Sequence, residues 1–192
     1  MRRPIAFTHG KDDPSGLNDL LANRINQNAY ALAGIAPSED LPMNLKSKYP
    51  EKMEYMASTE WDGKTGGTAT LRDNELIFDT PKVYGGRGQG LCPYRLFIAG
   101  ILGCINNTFL DIQRMSNLNL ISFNLHGRLL VQFDGSGYSI SKFEITGEVV
   151  VAEDDLYLGE RCIEQAKKYC PLTRSTKDCI PIEYNISVRE IE

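Results

Sequence analysis

Cysteine is the residue type in this sequence with the most chemical potential. There are five cysteines, and they share no CxxC spacing: Cys92, Cys104, Cys162, Cys170 and Cys179. The only histidines are His9 and His126. This pattern argues against a zinc site and against a disulfide framework, so we expect reduced thiols that are packed or catalytic and no metal.

Two of these thiols are candidates for catalysis. Cys104 lies in the middle of an apolar helical segment, where it is either a small buried hydrophobe or a nucleophile. As a nucleophile it needs a guanidinium nearby to bring its pKa down from about 8.5. Cys170 closes a helix just before Pro171, where it is either packed at the helix end or a second reactive thiol. We expect Cys162 and Cys179 to be structural.

A glycine-rich loop, Tyr84 to Gly90, follows one predicted strand and precedes a predicted helix. It lacks the GxGxxG register, a GK[ST] sequence and a surrounding βαβ unit, so no nucleotide site is expected. The glycines instead favour a mobile loop that delivers Arg87 near the start of the helix. The alternative is that Arg87 is simply a solvated loop side chain.

His126 and Cys92 are weaker candidates for chemistry than Cys104 and Cys170. His126 falls on the polar side of its predicted strand, where we expect it to be exposed. Cys92 stands at the position of a helix cap, for which it is a poor residue. It precedes Cys104 by 12 residues, or about 18 Å of helix, which is too far for a disulfide within one chain.

Alternating hydrophobicity predicts the strands that must support these residues. Thr68–Leu71 and Leu76–Phe78 are short strand cores, with a hairpin broken at Gly66-Gly67. A long antiparallel hairpin joins Ile121–Asp134 to Ser139–Val151 through a turn at 134–137. In the second strand, Phe143, Ile145, Val149 and Val151 face inward. The last strand, Ile180–Val188, places alternate apolar residues inward.

Two segments between the predicted strands show the periodicity of helices. A helix from about Pro93 to Met115 is apolar almost all round, which marks a helix enclosed by a sheet or by a partner chain. A second helix runs from about Asp155 to Cys170 and is stopped by Pro171. Residues 1–56 differ, with an amphipathic helix over Leu17–Leu32 followed by a proline-punctuated segment. Together these elements predict an α+β domain with antiparallel sheets around a hydrophobic helix. Because the strands of one chain cannot all cover that helix, we also expect a dimer.

Charge and composition narrow the partners and the compartment. The net charge is −4, with 21 basic and 25 acidic residues, so nucleic acid and membrane surfaces are not expected partners. The N-terminal residues contain no apolar core of a secretion signal. The most apolar stretch, Leu96 to Leu110, is too short for a membrane span and should be a buried core helix. We therefore expect a cytoplasmic protein.

Several of these features together resemble the OsmC/Ohr family of osmotically inducible and organic hydroperoxide resistance proteins. The features are Pro81, Gly85-Gly86, Gly90, Cys92-Pro93 and Leu96, the helix with Gly103-Cys104, the long hairpin, and Tyr169-Cys170-Pro171-Leu172. The two cysteine contexts, 66 residues apart in sequence, are the specific part. The resemblance covers residues 57–192 as an OsmC-like domain, and leaves 1–56 as an N-terminal helical extension.

The resemblance implies an intertwined homodimer with two sites at the subunit interface and thiol-dependent reduction of organic hydroperoxides. Cys104 would be the peroxidatic thiolate, Cys170 the resolving thiol and Arg87 the activating cation, with an external dithiol as reductant. Arg72 and Arg95 are alternatives to Arg87. No cofactor is implied.

The sequence departs from the family pattern at the start of the helix. Family members with peroxidase activity usually carry Asn-Pro-Glu there, whereas this chain has Cys92-Pro93-Tyr94. This departure keeps open a protein that binds a small apolar ligand at the dimer interface without turnover. A third interpretation is an interaction module that works through its N-terminal helix.

Overall fold

The computed structural model describes residues 50–191, which lie almost wholly in one compact unit beginning at Lys52. The predicted helix Leu17–Leu32 is outside the described residues. Residues 50–191 form six strands and three α-helices, which are, in chain order, β1 Ser58–Trp61, β2 Gly66–Leu71, β3 Asn74–Asp79, α1 Pro93–Ser116, β4 Leu120–Phe133, β5 Tyr138–Val151, α2 Leu156–Tyr169, α3 Pro171–Thr176 and β6 Ile182–Glu190. The described residues have the predicted α+β architecture.

The first three strands form an antiparallel sheet in the order β1-β2-β3. The predicted break at Gly66-Gly67 is wrong, because both glycines lie inside β2 and the turn precedes them. The Asp62 carboxylate organises that turn by accepting hydrogen bonds from the amides of Lys64, at 2.8 Å, and Gly66, at 3.3 Å. Gly66 and Gly67 are required for close packing instead, since a Cβ on either would collide with a carbonyl oxygen of a neighbouring strand.

The second sheet, in the order β4-β5-β6, contains the predicted long hairpin. Its turn is held by the Asp134 carboxylate, which accepts hydrogen bonds from the Ser136 amide and hydroxyl and from the Gly137 amide. The four residues predicted to face inward on β5 are all fully buried. One pairing was not foreseen: β6 runs parallel to β5, so this sheet is mixed rather than antiparallel throughout.

Helix α1 packs one face against the second sheet. Its four buried residues recur at helical spacing: Ile101, Ile105, Phe109 and Ile112. The helix starts at Pro93 after a cap residue, Cys92, whose side chain makes no capping hydrogen bond. It ends at Asn117, which adopts a left-handed conformation with φ of 53°. The prediction of a buried helix holds for this face alone, because only 22% of the most apolar 18-residue window is buried.

The second predicted helix ends as expected but does not lead directly into the last strand. α2 stops at Tyr169, and Pro171 then occupies the first turn of α3, where a missing N–H costs nothing. The prediction that Pro171 only terminates a helix was therefore incomplete. This short helix fixes the chain on both sides of Cys170.

Candidate functional site

Cys104 lies on α1 beside the face that packs into the core. Its neighbours in the chain and one turn before it, Ile105 and Ile101, are buried, while Cys104 itself is partly exposed. The helix carries it because the surrounding apolar residues recur at a period that suits burial against the sheet. The thiol is therefore anchored on a rigid element and is still accessible to a small molecule.

Cys170 occupies the junction between α2 and α3 and is completely buried. Its amide donates to the Ala166 carbonyl at 3.0 Å, which closes α2. Its carbonyl accepts the Arg174 amide at 3.0 Å and the Thr173 hydroxyl at 3.2 Å, which opens α3. The residue before a proline favours an extended backbone, and Cys170 has it, with ψ of 118°. Both helices thus fix the position of this thiol.

The structure brings the two candidate thiols together. Cys104 packs against the core cluster that contains Cys170, and Cys170 is close enough to the Cys104 thiol to raise its pKa. Both cysteines are free thiols in this state. A pair of thiols in contact, one buried and one accessible, is the arrangement that a reversible dithiol-disulfide couple requires.

The surroundings of Cys104 disfavour its thiolate in the single chain. Burial raises the pKa of the Cys104 thiol, and the neighbouring Cys170 raises it further. The Leu172 amide acts in the opposite direction, because it donates a hydrogen bond to the sulfur. Leu172 was not singled out from the sequence. Its signal is Pro171, which marks a helix start whose free amides follow directly after Cys170.

Arg87, the predicted activating cation, is bound within the first sheet. Its guanidinium forms an ion pair with Asp62 and lies 3.6 Å from the Asp79 carboxylate, and its Nε donates to the Thr65 hydroxyl at 3.2 Å. It is not among the groups that shift the pKa of Cys104. Within one chain, the structure joins Cys104 to Cys170 and does not join Arg87 to either.

The two alternative arginines do not act on Cys104 within the chain either. Arg72 is almost fully exposed and lies 3.7 Å from the equally exposed Asp73. Arg95 is exposed in the first turn of α1. Neither contributes to the shift in the Cys104 pKa. Among residues 50–191, therefore, the Leu172 backbone amide is the only group that lowers the pKa of the Cys104 thiol.

The glycine loop uses its amides internally. The amides of Gly86 and Gly88 donate to the carbonyls of Pro81 and Thr80, and the Arg87 amide donates to the Thr65 hydroxyl. The Gln89 amide donates to the buried Asp79 carboxylate at 2.9 Å. A phosphate-binding loop needs such amides free, so this geometry does not suit a nucleotide.

The remaining cysteines and His126 have separate environments. Cys162 is buried and its sulfur lies 3.2 Å from the Ser116 hydroxyl, consistent with a structural residue. Cys179 is exposed, so the expectation of a structural, packed thiol was wrong there. It follows α3 in a solvent-facing connection that the sequence pattern did not distinguish from core. His126 is exposed, as predicted. No cluster of three metal-binding side chains occurs among residues 50–191.

Comparison with known proteins, by sequence and by fold, points to one protein family. The family model of OsmC-like proteins matches residues 86–185. The organic hydroperoxide resistance protein-like 2 of Staphylococcus saprophyticus is 28% identical over 133 residues, which are 66% of this chain and 91% of that protein.

Solved structures share the fold at low sequence identity. The OsmC-like protein of Mycoplasma pneumoniae superposes with a TM-score of 0.62 and 12% identity, over 73% of this chain and 99% of that one. An organic hydroperoxide resistance protein of Elizabethkingia anophelis gives 0.61 and 18%, over 72% and 98%. The family model covers 100 of the 192 residues, including Arg87 and both contacting thiols, and the chain belongs to the OsmC-like protein family.

Proposed function

We propose that this protein is a thiol-dependent peroxidase that reduces organic hydroperoxides. The observation that carries the proposal is the contact between the accessible Cys104 thiol and the buried Cys170 thiol. The similarity to organic hydroperoxide resistance proteins supports the substrate class. Apolar side chains beside Cys104, from Phe97 to Leu102, suit the carbon part of such a peroxide.

The proposed cycle begins at Cys104. Its thiolate attacks one peroxide oxygen, the O–O bond breaks, and the alkoxide leaves and takes up a proton to become an alcohol. Cys104 is then a sulfenic acid. The Cys170 thiolate attacks that sulfur, an S–S bond forms, and the S–O bond breaks with loss of water. An external dithiol reduces the disulfide by thiol exchange and is itself oxidised to a disulfide.

We propose further that the working unit is a homodimer. The side of α1 opposite its buried residues is exposed and carries small side chains that allow a close approach: Ala99, Gly100, Gly103 and Asn107. A Cβ added at Gly100 or Gly103 would meet nothing within 4 Å. We infer that a second copy of the chain buries this apolar helix face, which is open among residues 50–191.

The first sheet supports the same dimer. None of its strands packs extensively on the helices or on the second sheet within the described part of the chain. Trp61 is 73% exposed, Ile77 61% and Val83 83%, which is unusual for large apolar residues. A sheet in this situation can cover a partner molecule. It would also carry Arg87 to the partner's Cys104, where a guanidinium would lower the pKa of the thiol.

The decisive experiment measures consumption of cumene hydroperoxide with dihydrolipoate as the dithiol. We expect Cys104→Ser to abolish turnover, because serine has no sulfur that the peroxide can oxidise to a sulfenic acid. Cys170→Ser should still consume about one equivalent of peroxide. Turnover should then stop, because this variant cannot form the disulfide that the dithiol reduces. The matched control is Cys179→Ser, which removes an exposed thiol outside the site. Equal rates for wild type and Cys104→Ser would end the proposal.

A second function remains a candidate because of one observation. Nothing in residues 50–191 except the Leu172 amide favours the Cys104 thiolate, and Tyr94 and Arg95 occupy the region where active relatives usually carry a glutamate. A protein with the same apolar side chains beside Cys104 and an inactive thiol would bind a small apolar ligand at the dimer interface. A Cys104 pKa at or above 8.5 in the dimer, together with a co-purified ligand, would favour this function over catalysis.

A further inference from the structure

A basic cavity lies between the end of α2, helix α3 and strand β6. Its volume is about 500 Å³, within the range typical of small-molecule sites. The residues that line it include four cations: Lys167, Lys168, Arg174 and Lys177. The remaining lining residues are Tyr169, Thr173, Ile182 and Tyr184.

The charge around this cavity contrasts with the rest of the protein. The whole chain has a net charge of −4, yet the segment from Lys167 to Lys177 contains four basic residues and no acidic one. Like charges held together on two adjoining helix ends repel each other unless an anion lies between them. The concentration of positive charge in a concave site therefore favours the binding of a counter-ion.

The neighbouring acids do not supply that counter-ion. Lys167 is paired with Glu164 at 2.5 Å. Within the part of the chain that the structure describes, Lys168, Arg174 and Lys177 form no ion pair with a carboxylate. Glu183 lies on β6 next to two cavity residues, but it alternates to the other face and pairs with Lys142 at 2.6 Å. Three cations at the cavity thus have unused binding capacity.

The walls of the cavity add an apolar surface and a hydroxyl. Lys167 lies 5.6 Å from the centre of the Tyr184 ring, and Lys168 lies 5.6 Å from the centre of the Tyr169 ring. Thr173 is buried at the base, where its hydroxyl donates to the Cys170 carbonyl. Rings and cations in one concave surface suit a ligand with several negative charges on a compact carbon or phosphorus framework.

We propose that this cavity is a binding site for a small polyanion, a phosphate compound or a polycarboxylate. Lys168, Arg174 and Lys177 hold its charges, and Tyr169 and Tyr184 pack against its body. The site lies outside the thiol pair and needs no redox chemistry, so it stands whether or not the protein reduces peroxides. An open cavity of this size accommodates a small molecule, whereas nucleic acid requires an extended basic surface, and this chain has a net charge of −4.

Isothermal titration calorimetry of the full chain tests the proposal, in a buffer of low ionic strength without multivalent anions. The probes are pyrophosphate and citrate, which distinguish phosphate from carboxylate recognition, and acetate, which carries a single charge. We expect saturable binding of at least one polyanion, with one site per chain, and much weaker binding of acetate. In the double variant Arg174→Gln, Lys177→Gln the affinity should fall about tenfold or more.

Two control variants separate recognition from general effects. Arg174→Lys with Lys177→Arg keeps both charges and should retain binding, whereas Lys52→Gln removes a distant exposed charge and should leave the affinity unchanged. The proposal fails if neither polyanion binds, or if the charge-removing double variant binds as tightly as wild type while its melting temperature is preserved. It also fails if an acidic peptide binds this region and neither small probe does.

Discussion

At the scale of single residues, Cys104 and Cys170 lie close together, but no side chain among residues 50–191 activates Cys104. Within that range, its pKa is raised by burial and by Cys170, and lowered only through the Leu172 amide. A second chain that places a cation there would change this balance without moving either sulfur. Activity and dimerisation are therefore coupled in the proposed mechanism.

Replacement of Cys170 by alanine should make Cys104 more acidic. The substitution removes the hydrogen bond and the charge interaction that raise the pKa of Cys104, and it opens space for water around the thiol. The measurement is the pH dependence of iodoacetamide labelling at Cys104, followed by peptide mass spectrometry. We expect the midpoint to move to lower pH. A midpoint that stays in place or rises would show that Cys170 does not control the ionisation of Cys104.

Asp79 is expected to stabilise the loop that carries Arg87. It is buried, and it accepts hydrogen bonds from the Thr65 hydroxyl at 2.7 Å and from the amides of Thr80 and Gln89. The Gln89 amide is the main cause of its lowered pKa. Since the folded-state pKa lies below the unfolded value, the stabilisation is present above about pH 4 and is lost as pH falls through the folded-state pKa.

Asp79→Asn should therefore lower the melting temperature at pH 7, and the difference from wild type should narrow in acid. Differential scanning calorimetry at pH 7 and near pH 3 provides the comparison. Asp73→Asn is the matched control, because Asp73 is almost fully exposed in a turn and should hardly matter. An Asp79→Asn difference that is the same at both pH values would exclude the ionised carboxylate as its cause.

At the scale of elements, α1 has two different faces. One face inserts Ile101, Ile105 and Phe109 into the core, and the opposite face is open along Ala99, Gly100 and Gly103. Helix length and hydropathy alone would also suit a membrane span. The small residues on the open face allow another protein surface to approach the helix closely.

A charge on the open face of α1 should break the proposed dimer and leave the subunit folded. Ala99→Lys adds a positive charge where a second helix would pack, while lysine remains a good helix former. We expect light scattering to show a shift from dimer to monomer and peroxide turnover to fall at least tenfold. Glu160→Gln changes the net charge equally on an exposed part of α2 and should do neither. A fully dimeric Ala99→Lys protein would place the interface elsewhere.

Most of the elements could be predicted because their patterns depend on burial. The alternation of β4 and β5 and the 3.6-residue period of α1 gave bounds within a few residues, since each has one face in the core. The parallel pairing of β6 could not be predicted, because strand direction depends on the path through α2 and α3 rather than on the strand's own residues. The same holds for the turn before β2, where a close approach between strands determines the position of Gly66 and Gly67.

The candidate site was only partly predictable for the same reason. The contact between Cys104 and Cys170 joins two elements 66 residues apart, and the sequence suggested it through a family resemblance rather than through a local pattern. The partners of Arg87 could not be inferred, because Asp62 and Asp79 reach it from the first sheet. Local spacing predicts which residues share a face, and not which faces meet.

At the scale of the whole molecule, residues 1–56 remain a proposed extension to the OsmC-like domain of residues 57–192. We expect deletion of 1–56 to weaken the proposed dimer or to change access to the site, because the sequence predicts an amphipathic helix over Leu17–Leu32 whose apolar side would need to be covered. Analytical ultracentrifugation and the KM for cumene hydroperoxide provide the measurements. A deletion variant that matches the full chain in both would remove any role of the segment in the dimer or at the pocket.

The separateness of the first sheet has a consequence for how the molecule matures. Strands β1 to β3 make few contacts with the other elements among residues 50–191, whereas the β4 to β6 sheet and α1 share two continuous hydrophobic clusters. Backbone amides in β1 to β3 should thus exchange with solvent deuterium quickly in dilute solution and slowly when the protein is concentrated. Completion of the fold would then be a bimolecular event, and a newly made chain would finish folding only when it associates with a second copy.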